Sequence, residues 1–199
     1  MQAYCILRKT ERSFSLSRIF LGYWNVSVIL TYFELISAVT GISSAFDGKL
    51  ERALLCLMIC GLCDMFDGKI ARATKRSEDA CVFGIQIDSL CDLVSFGVLP
   101  AVMGCAWGIG GWLRTVPALF VLCGLIRLAY FNVDEQKRQQ QTDEKRQYYE
   151  GLPITSSAVG VPLLYALGRV MHWRMSRLML WGQGIMAILF ISRIKVKKI

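Results

Sequence analysis

Asp64 and Asp67 stand three residues apart in CDMFDGKIAR (Cys63–Arg72), and Asp88 and Asp92 stand four apart in FGIQIDSLCDLVSFG (Phe83–Gly97). At helical spacing each pair occupies one face. Two antiparallel helices joined by the short intervening loop would set four carboxylates opposite one another. The surrounding sequence is apolar, and an acid held at the centre of a membrane helix costs about 2.5–3.5 kcal/mol on insertion scales. Arg72 is the one clearly close counter-charge. Two divalent cations would relieve most of that cost, and carboxylate oxygens suit hard ions such as Mg²⁺ or Mn²⁺. A pair of such ions about 3.5–4 Å apart can clamp a phosphoryl group during in-line displacement. Gly68, Ala71 and Gly84 leave room beside the acids for a phosphate or nucleotide, and the Arg72 guanidinium suits a diphosphate oxygen. The same charges could instead form a network that only ties helices together, or sit at helix ends among lipid headgroups.

The elements that must position these residues follow from hydropathy. The chain has 199 residues, 54% hydrophobic and 19% charged, with a mean hydropathy of +0.44. Its apolar residues fall in blocks that accommodate the roughly 17–25 residues a helix needs to cross a bilayer. The expected fold is an all-α polytopic membrane protein with six transmembrane helices near 23–46, 50–74, 84–109, 112–132, 152–171 and 177–193, forming one domain over 1–199. Helices are the default because lipid-facing irregular backbone leaves hydrogen bonds unmet. No run of short alternating segments suggests a β-barrel. Residues 1–22 form an N-terminal segment whose FSLSRIFLGYW suits either an interfacial amphipathic helix or the start of the first span. Met1–Thr10 lacks an apolar core before a small-residue cleavage site, so no cleaved leader is expected. Residues 133–150 are the one clearly polar connector.

With an even number of spans, one side collects sixteen Lys and Arg residues and the other six. The positive-inside bias then puts both termini, the 72–83 and 133–150 loops and the acid site toward the cytosol of a cell membrane. The net charge of +8 suits an anionic leaflet. It is spread over short loops, which gives no footprint for nucleic acid. Cys56, Cys60 and Cys63 have a spacing used by iron–sulfur enzymes, but they lie within an apolar helix, where free cysteine packs as a small hydrophobe. No disulfide framework is expected in a reducing cytosol.

Asp64-x2-Asp67-Gly68-x2-Ala71-Arg72 followed by Gly84-x3-Asp88-x3-Asp92 resembles the signature of the CDP-alcohol phosphotransferases at all eight fixed positions. Eleven residues separate Arg72 from Gly84, more than is usual, and the excess falls in the charged loop. The resemblance implies transfer of a phosphatidyl group from a CDP-linked donor to an alcohol, with release of CMP and, usually, a homodimer. It implies Asp64, Asp67, Asp88 and Asp92 as metal ligands for two cations, with Asp92 also the general base. Gly68, Ala71, Arg72 and Gly84 would bind the CDP moiety. Asn25, in the first span, suits either a contact to the nucleotide or an interfacial helix cap. GLIRLAYFNV (Gly124–Val133), YYEGLPITSSA (Tyr148–Ala158) and FGVLPA (Phe96–Ala101) are similar to the branch that takes L-serine as acceptor and CDP-diacylglycerol as donor, except that Tyr130 stands where a second arginine is expected. On that reading Arg127 meets the serine carboxylate, with Asn132 and Thr155 orienting the amino acid; snorkelling toward headgroups is the other use for Arg127.

Rival readings are the same chemistry with glycerol 3-phosphate, inositol phosphate or choline as acceptor, a membrane prenyltransferase, and a cation transporter with an acidic intramembrane site. Glu34, in the middle of the first span, has no place in the family pattern; pairing with a basic residue or lining a dimer interface are its open uses.

Overall fold

The computed structural model describes residues 22–23, 26–73, 77–141, 148–193 and 195–197. Helices α1 (Val26–Phe46) and α2 (Leu50–Ala73) form an antiparallel hairpin. Gly48, at φ +74°, turns the chain between them, and Lys49 N–H closes the turn onto the Ser44 carbonyl at 2.8 Å. Helix α3 (Glu78–Asp92) starts at Ser77, whose hydroxyl accepts the Ala80 N–H. It runs through a π-helical turn (Leu93–Val98) into α4 (Leu99–Ala106), which makes one long rod. Helix α5 (Thr115–Gln141) follows a 3₁₀ turn, and α6 (Ser157–Val170) and α7 (Met175–Ile191) complete the bundle.

These rods match the six expected spans, with shifted ends. The third begins six residues before its expected start at 84, and α5 continues past 132 into the polar connector. One departure from an all-helical chain is a short antiparallel ribbon, β1 (Tyr148–Glu150) against β2 (Lys195–Lys197), with Tyr149 opposite Val196. The proposed N-terminal interfacial helix lies outside the described residues.

Among the described residues, three segments are long and apolar enough to cross a membrane: Val26–Phe46, Asp79–Ala106 and Gly111–Asp134. Ile154–Val170 and Met175–Ile191 are shorter apolar helices. Helix α2 has the length, but Asp64, Asp67 and Lys69 lower its hydropathy. In α1 the inward stripe is Ser27, Thr31, Glu34, Ala38, Gly41 and Ala45. Its outward face carries exposed Ile29, Phe33, Ile36 and Phe46. An interior more polar than the exterior is what a lipid-facing helix requires, and small inward residues let helices approach closely. A Cβ on Gly41 would lie 2.9 Å from Cys56 Cβ, and one on Gly61 would lie 2.7 Å from Ala158 Cβ. Those two glycines set the α1–α2 and α2–α6 spacings.

The α3–α4 rod occupies the centre. About 56% of its most apolar window is buried, against 33% for α1 and 28% for α5. Phe96, Leu99 and Met103 pack there with Phe120, Ile154 and Phe190. Pro100 has no N–H to donate back along the rod. The Phe96 carbonyl, one turn earlier, lies 2.8 Å from the Ser157 hydroxyl, which is equally close to the Ile154 carbonyl and serves one of them at a time. Gln183 of α7 donates to the Pro100 carbonyl at 2.7 Å.

Candidate active site

The acids come from the second half of α2 and from the end of α3 just before the π turn. Helical spacing puts Asp64 and Asp67 on the inner face of α2, and Asp88 and Asp92 on one stripe of α3. One carboxylate oxygen from each of Asp64, Asp88 and Asp92 falls within 4.8 Å of the others. Asp92 is buried, and Asp64 and Asp88 are half-buried. Asp67 is only 1% exposed and lies apart from that triad, oriented toward α1. The Thr31 hydroxyl is 3.3 Å from Asp67 Oδ2 and 3.1 Å from the Ser27 carbonyl, so its single hydrogen serves one of them at a time. Three of the four expected ligands therefore converge, and the fourth is held beside them by a residue of the first helix.

The donor set suits a hard divalent cation. All candidate donors are carboxylate oxygens, and Oδ1 of both Asp67 and Asp92 is buried without a hydrogen-bond partner. A buried carboxylate oxygen left unpaired is costly, and a bound cation would supply the missing interaction. Of the nucleotide-binding candidates, Gly68 is buried on α2 and Gly84 half-buried on α3. Ala71 and Arg72 lie in the last turn of α2, their side chains outside the described residues, as is Asn25 altogether.

The acceptor candidates come from α5 and the segment before α6. Arg127 lies over the Phe131 ring, 5.2 Å from its centroid. Asn132 Nδ2 donates to Ser89 Oγ at 2.8 Å, which fixes α5 beside the Asp88 turn. Thr155 sits in a 3₁₀ turn (Ile154–Ser156) that docks on the π turn through Ser157. The Gly-Leu-Pro motif has a backbone role. Gly151 has φ +75°, a Cβ there would lie 2.8 Å from the Phe190 carbonyl, and the Leu152 N–H donates to the Leu189 carbonyl at 3.1 Å. Only glycine fits such a left-handed position against the end of α7.

Thr31 and Ser89 were not singled out from the sequence. Thr31 could have been found from its place on the polar stripe of α1, three residues before Glu34. Cys56, Cys60 and Cys63 are free, as their reading as packing residues requires. Cys81, against expectation, is disulfide-bonded.

A bundle of apolar helices with an acidic triad toward one end suits a membrane enzyme, and the comparisons with known proteins give its family. The model of the CDP-alcohol phosphatidyltransferases matches residues 24–189. The chain belongs to that family. It is 41% identical over 100 residues to the CDP-diacylglycerol--serine O-phosphatidyltransferase of Saccharomyces cerevisiae, covering 49% of this chain and 35% of the relative. It is 30% identical over 130 residues to the protein of the same name from Helicobacter pylori, covering 62% of this chain and 52% of the relative. It is 32% identical over 142 residues to the archaetidylserine synthase of Methanothermobacter thermautotrophicus, covering 70% of this chain and 57% of the relative. The matches thus span about a third to three fifths of these relatives' lengths.

Proposed function

We propose that the chain is an integral-membrane transferase that converts CDP-diacylglycerol and L-serine to phosphatidylserine and CMP. The observation that carries this reading is the meeting of Asp64, Asp88 and Asp92 within 4.8 Å, beside buried carboxylate oxygens that lack partners. The names of the similar proteins support serine as the acceptor.

The reaction forms a bond between the serine hydroxyl oxygen and the β-phosphorus of the donor and breaks the bond from that phosphorus to CMP. The hydroxyl proton needs an acceptor, and Asp92 is the residue assigned to take it. Asp64, Asp67, Asp88 and Asp92 would hold two divalent cations, Mg²⁺ or Mn²⁺. Bound there, such ions would polarise the phosphoryl oxygens and neutralise charge on the leaving group. Gly68, Ala71, Gly84 and Asn25 bind the CDP moiety. Arg72 stabilises the diphosphate as charge moves toward CMP. Arg127 binds the serine carboxylate, with Asn132 and Thr155 orienting the amino acid. Asn132 does so through its bond to Ser89, which keeps α5 against the acid helix.

The six rods cross the membrane as a single unit over 1–199, with the acid site and both termini toward the cytosol, and two copies pair as a homodimer. The charge asymmetry of sixteen against six basic residues supports the orientation. The test is an acceptor screen. Purified protein, CDP-diacylglycerol and Mn²⁺ or Mg²⁺ are offered serine, glycerol 3-phosphate, inositol, inositol phosphate or choline, and CMP is measured. CMP release with serine is expected. Release only with another alcohol rejects the serine assignment and leaves the family intact; release with none removes the enzymatic reading.

A further inference from the structure

Glu34 is the residue that the reaction as described leaves unused. It sits on the inner stripe of α1, one turn beyond Thr31, with 0% exposure. Neither of its carboxylate oxygens has a hydrogen-bond partner. Two neighbouring thiols donate to backbone carbonyls. The Cys60 thiol donates to Glu34's own backbone carbonyl at 3.5 Å, and the Cys91 thiol donates to the Thr31 carbonyl at 3.3 Å. Ser95 lies 3.8 Å from the Cys91 sulfur. Ser95 and Cys91 border the Glu34 carboxylate without reaching hydrogen-bond geometry. Asp64, Asp67, Asp88 and Asp92 all lie within electrostatic range of it.

A buried carboxylate whose oxygens lack a well-formed hydrogen bond, beside four others, gives the fold little that a hydrocarbon would not give better; replacing buried charge by a well-packed apolar group is often neutral or stabilising. Its oxygens are free to take a positive or hydrogen-donating group that arrives from outside the chain. Small divalent cations bring one, because Mg²⁺ in particular keeps several of its waters when carboxylates bind it. Those waters are hydrogen donors.

We propose that Glu34 is a positioning residue of the divalent-cation site, a buried acceptor on α1 for water carried by the cations that the aspartates hold. With Thr31 on Asp67, α1 then supports the site at two adjacent positions of one stripe. The inference rests on the cation site proposed above.

The test measures metal binding rather than turnover. Mn²⁺ is titrated into detergent-solubilised protein and free Mn²⁺ is followed by EPR, with melting temperatures recorded in EDTA and in Mn²⁺. Glu34→Gln is expected to weaken Mn²⁺ binding by about 10–100-fold, the usual cost of losing an outer partner of a metal site. Its melting temperature in EDTA should equal or exceed that of the unaltered protein, while the rise on adding Mn²⁺ shrinks. If Glu34→Gln does not accumulate as folded protein, Glu34→Met carries the same expectations. Unaltered Mn²⁺ affinity overturns the proposal, as does a melting temperature that falls in EDTA with a full Mn²⁺ increment. A raised serine KM with normal Mn²⁺ binding also overturns it and reassigns Glu34 to the acceptor's ammonium group. Asp92→Asn is the control. If it loses Mn²⁺ while Glu34→Gln does not, only the Glu34 assignment fails; if neither loses Mn²⁺, the cation site itself fails.

Discussion

The two ends of the bundle treat their charged groups in opposite ways. Around the α1–α2 turn, Lys49 meets Asp47 at 3.0 Å with their side chains 52% and 56% exposed. Tyr165 of α6 donates to Glu51 at 2.9 Å and stacks with Trp107. Each charge there is paired or wet. Where α2 meets α3, Asp67 and Asp92 are buried with oxygens that nothing in the described chain satisfies, and Glu34 is buried beside them. Exposed pairs add little to stability and are screened by salt. Buried, unsatisfied acids cost stability. The end that spends folding energy on unmet charge is therefore the end organised for something the polypeptide does not contain.

That contrast can be broken most directly at the acids. Asp88→Asn or Asp92→Asn should lower CMP release by on the order of 10³-fold or more, since metal-assisted stabilisation is worth several kcal/mol. The variants should still elute as folded protein in detergent. Near-normal turnover in either would remove the distinction between the two ends. Arg127→Ala should raise the serine KM about tenfold or more, the worth of a charge-assisted bond to a carboxylate, with little change in the KM for CDP-diacylglycerol. An unchanged serine KM would return Arg127 to a headgroup-facing role. A third substitution asks whether the acid end depends on helix spacing. Gly61→Leu, on α2 one residue past Cys60 and against Ala158, should cost about 1–3 kcal/mol by overpacking, read as a lower melting temperature in detergent. The smallest effect belongs to the other end. Lys49→Ala or Asp47→Ala should change stability by less than about 0.5 kcal/mol, and a larger change would show that the exposed pair is more than a surface contact.

The helices and the acid stripes were legible in the sequence because both depend on local spacing. A run of apolar residues sets a rod, and acids three or four apart share a face whatever surrounds them. Three features were not legible, each for a physical reason. The π turn lies in Leu93–Val98, where apolar residues surround Ser95 on both sides and periodicity carries no phase. The orientation of Asp67 toward Thr31 depends on a contact between residues 36 apart in sequence. The ribbon joins Tyr148–Glu150 to Lys195–Lys197, a non-local pairing of two three-residue stretches too short to read as strands. Gly-Leu-Pro stands out in the sequence by resemblance alone, and its physical cause is the contact of Gly151 with the carbonyls that end α7.

The π turn between α3 and α4 makes one rod into two dials. Leu99 N–H bonds back to the Val94 carbonyl, one residue further than an α-helix would reach. The acid-bearing half is thereby set at its own angle, independent of the greasy half that fixes the rod in the core. Removing a single residue between Leu93 and Val98 would restore plain winding and swing Asp88 and Asp92 by roughly 100° relative to Leu99 and Met103. The carboxylates would then face lipid while every apolar contact beyond the turn remained in place.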